Sequence, residues 1–294
     1  MTQTDKHAEI DSHTGMATTG HEWDGIRELN TPLPRWWLNI LYATIVWAFF
    51  YCIAYPAIPL IQSFTPGVLG WSSRQGVNDD LEKLRTQRAP IVAALSNASL
   101  EDIEKNPQLR TFAIAQGKAA FGDNCAPCHG AGGGGAKGYP NLNDDDWLWG
   151  GSLEQISATI NHGARAADDD QTRVGLMPAF GREGMLTRKQ ISDVADYVRS
   201  LSNLEPAVGA DPAAGAAVFA ENCASCHGEK GQGNQDLGAP NLSDAIWLYG
   251  SDKSAIVQGL TNGRGGVMPA WAGRLDATTI KALTVYVHTL GGGR

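Results

Sequence analysis

The amino-acid sequence predicts a mainly α chain: one N-terminal transmembrane helix followed by two tandem copies of a small helical domain. Three observations predict it. Residues 36–55 form an uncharged apolar run, four sequence blocks recur in one order about 98 positions apart, and each copy closes on a helical apolar stripe. A chain of 294 residues holds about two ordinary domains. Hydrophobic residues make up 43%, normal for a globular chain, and one spanning run excludes a polytopic membrane protein. The formal net charge of -8 argues against a nucleic-acid partner, whose binding is driven by Lys and Arg displacing counterions.

The first element is the run from Trp36 to Tyr55. At about 1.5 Å rise per residue, roughly twenty residues cover about 30 Å, the hydrocarbon thickness of a bilayer. Pro56 and Pro59 end or kink such a helix, and Trp36, Trp37 and Tyr55 suit the two membrane interfaces. A soluble core helix would carry a polar face, and a signal peptide would not follow a long acidic leader. The transmembrane segment is therefore placed at 35–61, behind a tail at 1–34. His7, His13 and His21 in that tail lack metal-ligand spacing, and Cys52, with no partner nearby, is expected to be a small buried hydrophobe. Arg27 and Arg35 precede the run and the next cation is Arg74, which favours a cytoplasmic tail.

Residues 62–106, with Pro66, Gly67, Gly70, Gly76 and Pro90 among amphipathic stretches such as Asp80 to Leu95, read as a linker with one broken helix. The repeat follows. Gly117 to Cys125 returns as Gly215 to Cys223, Pro140-Asn141-Leu142 as Pro240-Asn241-Leu242, Trp147 to Gly150 as Trp247 to Gly250, and Gly175 to Phe180 as Gly266 to Trp271. The first copy is longer ahead of its methionine, with Asp168-Asp169-Asp170-Gln171 in an exposed loop. A capping box at Thr187 to Gln190 opens a helix bearing Ile191, Val194, Val198 and Leu201, and Asp276 caps one bearing Ile280, Leu283, Val287 and Leu290. Gly117 with Phe121, and Gly215 with Phe219, share a helical face, so that glycine permits a close helix crossing and the ring fills the junction.

Two pentapeptides carry the chemistry: Cys125-Ala126-Pro127-Cys128-His129 and Cys223-Ala224-Ser225-Cys226-His227. Cys-x-x-Cys-His is the attachment pattern of c-type haem. Cysteines three apart on one helical turn can form thioethers to two vinyl groups while the next residue, histidine, turns its imidazole to iron. A zinc site would want further ligands at close spacing, and a redox dithiol would need neither the histidine nor a downstream methionine. Two covalently bound haem c groups follow, and with crossing first and last helices the copies read as class I cytochrome c domains at 107–205 and 206–294. Their macrocycles would supply apolar core that domains of this size lack. Because haem is attached on the outer side of bacterial membranes, the haem domains are expected in the periplasm.

Met177 and Met268 occupy matching positions, each before a proline that holds the loop extended, and are the candidate sixth ligands. Met185 opens the last helix of the first copy and reads as core. His162 is a rival ligand, but its repeat partner is Asn262. His/Met ligation raises the reduction potential and leaves iron no open position, which argues against a catalytic site in this chain. Loop-closure entropy favours pairing Met177 with the His129 haem and Met268 with the His227 haem, although matched loops could exchange. Asp144 to Asp146 and Asp168 to Asp170 would steer a basic donor.

The stretch Trp23-Asp24-Gly25-Ile26 and the stretch Pro32-Leu33-Pro34-Arg35-Trp36-Trp37, then one span and two cytochrome c domains, resemble the di-haem cytochrome c subunit of cbb3-type (C-family haem–copper) oxidases over essentially the whole chain. The resemblance implies thioether roles for Cys125, Cys128, Cys223 and Cys226, proximal roles for His129 and His227, and axial roles for Met177 and Met268. It implies a single-pass subunit of the bacterial inner membrane, set in membrane lipid, that takes electrons from a soluble or membrane-bound donor cytochrome c. Its expected partners are a mono-haem cytochrome c subunit and the catalytic haem–copper subunit that reduces oxygen. The contrasting readings are a di-haem peroxidase and a gas-binding haem sensor, each of which needs an open iron.

Overall fold

The computed structural model describes residues 9–205 and 207–291, so His7 of the tail lies outside the described residues. The chain divides into two compact units, residues 1–87 and 88–294.

The first unit opens with a hairpin that the sequence reading did not anticipate. Strand β1 (Thr18–Trp23) pairs antiparallel with β2 (Ile26–Leu29), Trp23 opposite Ile26. Asp24 and Gly25 form the two-residue turn with φ of 49° and 82°, the positive pair that a right-twisted hairpin requires. Helix α1 (Arg35–Ala54) follows, ends at Tyr55 ahead of Pro56, and buries none of its residues against protein. By length and composition it can cross a membrane. Cys52 is exposed on this helix rather than packed in a protein core, as no residue of α1 is buried. The chain then doubles back, and the N–H groups of Val68 and Leu69 donate to the carbonyls of Ile53 and Ala54, two of the groups a helix end leaves unpaired. Helix α2 (Ser73–Asn97) runs unbroken through Pro90 and carries the chain into the second unit.

In the second unit, α3 (Leu100–Lys105) and α4 (Pro107–Asn124) lead to the first pentapeptide, whose turn is α5 (Ala126–His129). Then come α6 (Leu153–His162) and α7 (Arg188–Leu201), the latter opened by the expected Thr187–Gln190 capping box. The second copy repeats this with α8 (Pro212–Asn222), α9 (Ala224–His227), α10 (Lys253–Asn262) and α11 (Ala277–His288), Asp276 capping the last.

The crossing helices have the expected geometry, but the copies exchange partners. Helix α4 of the first copy crosses α11 of the second, and α8 of the second crosses α7 of the first. A Cβ on Gly117 would lie 2.2 Å from the Ala282 carbonyl oxygen, and one on Gly215 would lie 2.3 Å from that of Asp193. The rings follow the same exchange: Phe121 meets Tyr286 edge-on at 5.4 Å, and Phe219 meets Tyr197 at 5.3 Å. One core gathers Phe121, Ile156, Ile160, Leu283 and Tyr286, drawn from both copies; the other gathers Phe180, Ile191, Val194, Phe219 and Leu260. Leu95 from the end of α2 and Ile103 of α3 are fully buried against Ala113, Ala282 and Val285. Met185 is exposed, and the adjacent Leu186 fills the core position expected of it.

Candidate haem sites

Each pentapeptide begins where a crossing helix stops. Cys125 is at once the last cap of α4 and the first of α5, with φ -107° and ψ -35°; Cys223 stands likewise between α8 and α9, at -119° and -35°. One helical turn is then closed by His129 N donating to the Cys125 carbonyl, and His227 N to that of Cys223, each at 2.9 Å. Gly130 and Gly228 end the turns at φ 79°. The turn puts both cysteines and the histidine of each motif on one short stretch, as the chemistry needs.

Both imidazoles are oriented by the same bond. His129 Nδ1 donates to the Pro140 carbonyl, and His227 Nδ1 to that of Pro240, each at 3.0 Å. A carbonyl can only accept, so Nδ1 carries the proton and Nε2 keeps its lone pair for a metal, the usual outer-shell arrangement of a ligating histidine. Burial pushes the His227 imidazole toward its neutral form, although the Pro240 bond works the other way. The thiols of Cys125 and Cys223 are pushed up to about 11, burial first and the neighbouring cysteine second. An activated redox dithiol requires the opposite shift. Among the described residues no cluster of three His, Cys, Asp or Glu suits a metal ion. The sites therefore fit covalently attached haem better than zinc or disulfide exchange.

The methionines correct the expectation of local pairing. Met177 packs in the core of Phe219, Cys223 and Trp247, and Met268 in that of Phe121, Cys125 and Trp147. Each therefore sits with the pentapeptide of the other copy. The loops are fixed by matched backbone pairs: Met268 exchanges two hydrogen bonds with Ala164, both 3.0 Å, just past α6, and Met177 exchanges two of 3.0 and 3.1 Å with Arg264, just past α10. A Cβ on Gly163 would lie 2.3 Å from the Met268 carbonyl oxygen, and Gly163 has φ 66°, so only glycine fits there. His162 Nδ1 lies 3.1 Å from the Asp169 carboxylate in the inserted loop.

Between the two sites runs a seam of aromatic rings and arginines that sequence reading missed. The Arg264 guanidinium lies 4.0 Å from the centre of the Tyr249 ring, and Arg173 lies 5.4 Å from that of Trp149. The signal was present in the repeat, since each arginine stands four residues before its methionine. Asp144 and Asp146 approach Asp244 across this seam, and burial, with Asp244, Asp144 and Asp145 adding, pushes the Asp146 carboxyl up to about 6. The inserted acids are partly satisfied within the chain: Asp168 meets Arg274 at 3.5 Å, and Asp169 meets His162.

Comparison with known proteins covers all of these parts. Residues 15–62 match the N-terminal domain of cytochrome oxidase-cbb3, FixP; residues 114–202 match cytochrome c; residues 210–287 match cytochrome c oxidase, cbb3-type, subunit III. The chain is 64% identical to the cbb3-type cytochrome c oxidase subunit FixP of Azorhizobium caulinodans, over 98% of this chain and 97% of the relative. It belongs to the FixP/CcoP family of cbb3-type oxidase subunits. The FixP of Bradyrhizobium sp. is 60% identical over 98% of this chain and 99% of its own length, and the CcoP of Azospirillum brasilense 52% over 97% and 99%. With two cytochrome c domains, this FixP/CcoP chain carries two covalently bound haem c groups.

Proposed function

We propose that the chain is the membrane-anchored electron-transfer subunit of a cbb3-type oxidase, taking electrons from a donor cytochrome c and passing them toward the oxygen-reducing haem–copper subunit by way of a mono-haem cytochrome subunit. The observation that carries this is the duplicated site: two histidines held in one tautomer by Pro140 and Pro240, each in a pentapeptide whose first cysteine packs in a core that contains a methionine. Haem c, when bound, supplies reversible one-electron iron chemistry. Cys125 and Cys128 would hold one group and Cys223 and Cys226 the other. His129 Nε2 and Met268 Sδ would be the protein's iron ligands at the first site, and His227 Nε2 and Met177 Sδ those at the second. A histidine and a methionine at each iron would leave no position open for substrate, which supports electron transfer here and oxygen reduction in another subunit. Helix α1, none of whose residues is buried against protein, spans the inner membrane once and leaves the tail in the cytoplasm and the haem domains in the periplasm.

Replacing Met268 by leucine in the full chain is expected to lower the potential of the haem on Cys125 and Cys128 and open it to carbon monoxide; Met177→Leu does the same at the other haem. Variants lacking one attachment motif assign each spectrum. Loss at the opposite haem overturns the pairing, and ready carbon monoxide binding by both haems of the unaltered, reduced protein overturns the carrier role in favour of a peroxidase or gas sensor.

A further inference from the structure

The two methionine loops are joined by one side chain. Counting back from each methionine, Arg173 matches Arg264 and Gly175 matches Gly266, so residues 164–172 are the excess of the first copy. Arg165 lies in that excess and has no counterpart. Its φ is 56°, in the left-handed region that L side chains rarely adopt, and its own N–H is fixed on the Arg173 carbonyl at 2.7 Å. From there Nε donates to the Gly266 carbonyl at 2.6 Å, and Nη1 donates to the Gly175 carbonyl. Each acceptor stands two residues before a methionine, so the guanidinium holds equivalent points of both loops. The loops also touch directly, since a Cβ on Gly265 would lie 2.2 Å from Leu176 Cδ1. A planar fork with donors on separate nitrogens can satisfy two carbonyls at once, whereas lysine offers a single point of attachment. A strained backbone persists where its surroundings over-determine it, and here they place one cation between two ligand loops.

We propose that Arg165 is a positioning residue that yokes the two methionine loops, so that Met177 and Met268 are presented to their irons together and released together. This rests on the axial roles assigned to those methionines. Arg165 touches neither ligand atom and acts through the main chain of each loop.

The test uses the full, haem-loaded chain in detergent with imidazole as competitor for the ferric irons, following the far-upfield, paramagnetically shifted methyl proton resonance that each methionine gives while bound to ferric iron. In the unaltered protein both methionines are expected to be displaced in one cooperative titration; independent displacement overturns the yoke. In Arg165→Gln, displacement is expected to be about tenfold faster at both irons, each loop having lost a charge-assisted hydrogen bond. Acceleration at one iron, or at neither, overturns it. Arg165→Lys keeps the charge without the fork and is expected to follow the Gln variant, and wild-type behaviour would show that charge alone matters and refute the proposal. If Met177→Leu leaves both methyl resonances in place, the axial assignment itself fails. Two resonances that respond independently in the unaltered protein refute the yoke alone.

Discussion

A methyl group added at Gly117 tests the helix exchange. The new Cβ would lie 2.2 Å from the Ala282 carbonyl oxygen and 2.7 Å from Tyr286 Cβ, where ordinary contact begins at 3.4 Å, so α4 and α11 must part by about 1 Å. Alanine gains about 1 kcal/mol of helix propensity over glycine. Overpacking costs about 1–3 kcal/mol, and the obstacle here is main chain that cannot rotate away, so the upper end applies. Loosening the Phe121–Tyr286 contact adds about 0.5 kcal/mol or more. Gly117→Ala is thus expected to lose about 2 kcal/mol, a fall in unfolding midpoint of about 4–8 °C for a unit of this size, read from haem absorbance on heating. Gly122→Ala in the same helix is the control, because nothing lies within 4 Å of its Cβ; it is expected to gain up to about 1 kcal/mol. The exchange adds a sharper demand. Gly117→Ala should couple to Tyr286→Ala, in the last helix of the second copy, and add within about 0.5 kcal/mol to Tyr197→Ala, in that of its own copy. Coupling to Tyr197 instead would refute the exchanged architecture, and a stabilised Gly117→Ala would refute the crossing itself.

Further outcomes follow from burial and charge. A chain exported from residue 88 onward is expected to keep both haems, whereas one starting at 107 loses Leu95 and Ile103, both fully buried, and with them about 4 kcal/mol or more of denaturant stability; equal midpoints would refute the packing. Asp146 has a folded pKa raised to about 6, so the stability it contributes is complete below the ordinary carboxylate range and is lost as pH rises through about 6. Asp146→Asn should flatten the unfolding midpoint between pH 4 and 6 and stabilise the protein at pH 7 by about 1 kcal/mol after allowance for partial exposure; an unchanged pH slope refutes it. Asp145→Asn with Asp244→Asn should slow capture of electrons from a basic donor several-fold at low salt and little at high salt, while Asp169→Asn, whose carboxylate already serves His162, leaves the rate unchanged in stopped-flow measurements.

Much of this was legible in the sequence because it was written in local spacing. Charge-free residues from Trp36 to Tyr55 dictate the apolar helix, and cysteines three apart with a trailing histidine dictate a single turn. Gly117 and Phe121 on one face dictate a crossing, though not which helix is crossed. That choice was illegible for a physical reason. The path from Cys128 to Met268 is roughly three times that to Met177, and because closure cost grows only as the logarithm of length the difference is about 1 kcal/mol, too little to decide between matched loops. The hairpin was legible and missed, since Asp24-Gly25 between apolar Trp23 and Ile26 is a two-residue turn signal. Arg165 was not legible: its partners are main-chain carbonyls of loops about 10 and 101 residues away, which leave no mark on composition or periodicity.

The exchange of helices also sets an order of completion during synthesis. A chain emerging from the ribosome presents Cys125 to His129 before Cys223 to His227, yet the earlier motif must wait for the Met268 loop and for α11, the last element described. The later motif needs only α7, the Met177 loop and α10, all made by Arg264. The second pocket is thus finished first. A stop codon shortly before Asp276 spares the nearer motif and strips the distant one of its closing helix, so damage at the end of the message is felt at the beginning of the haem-binding region.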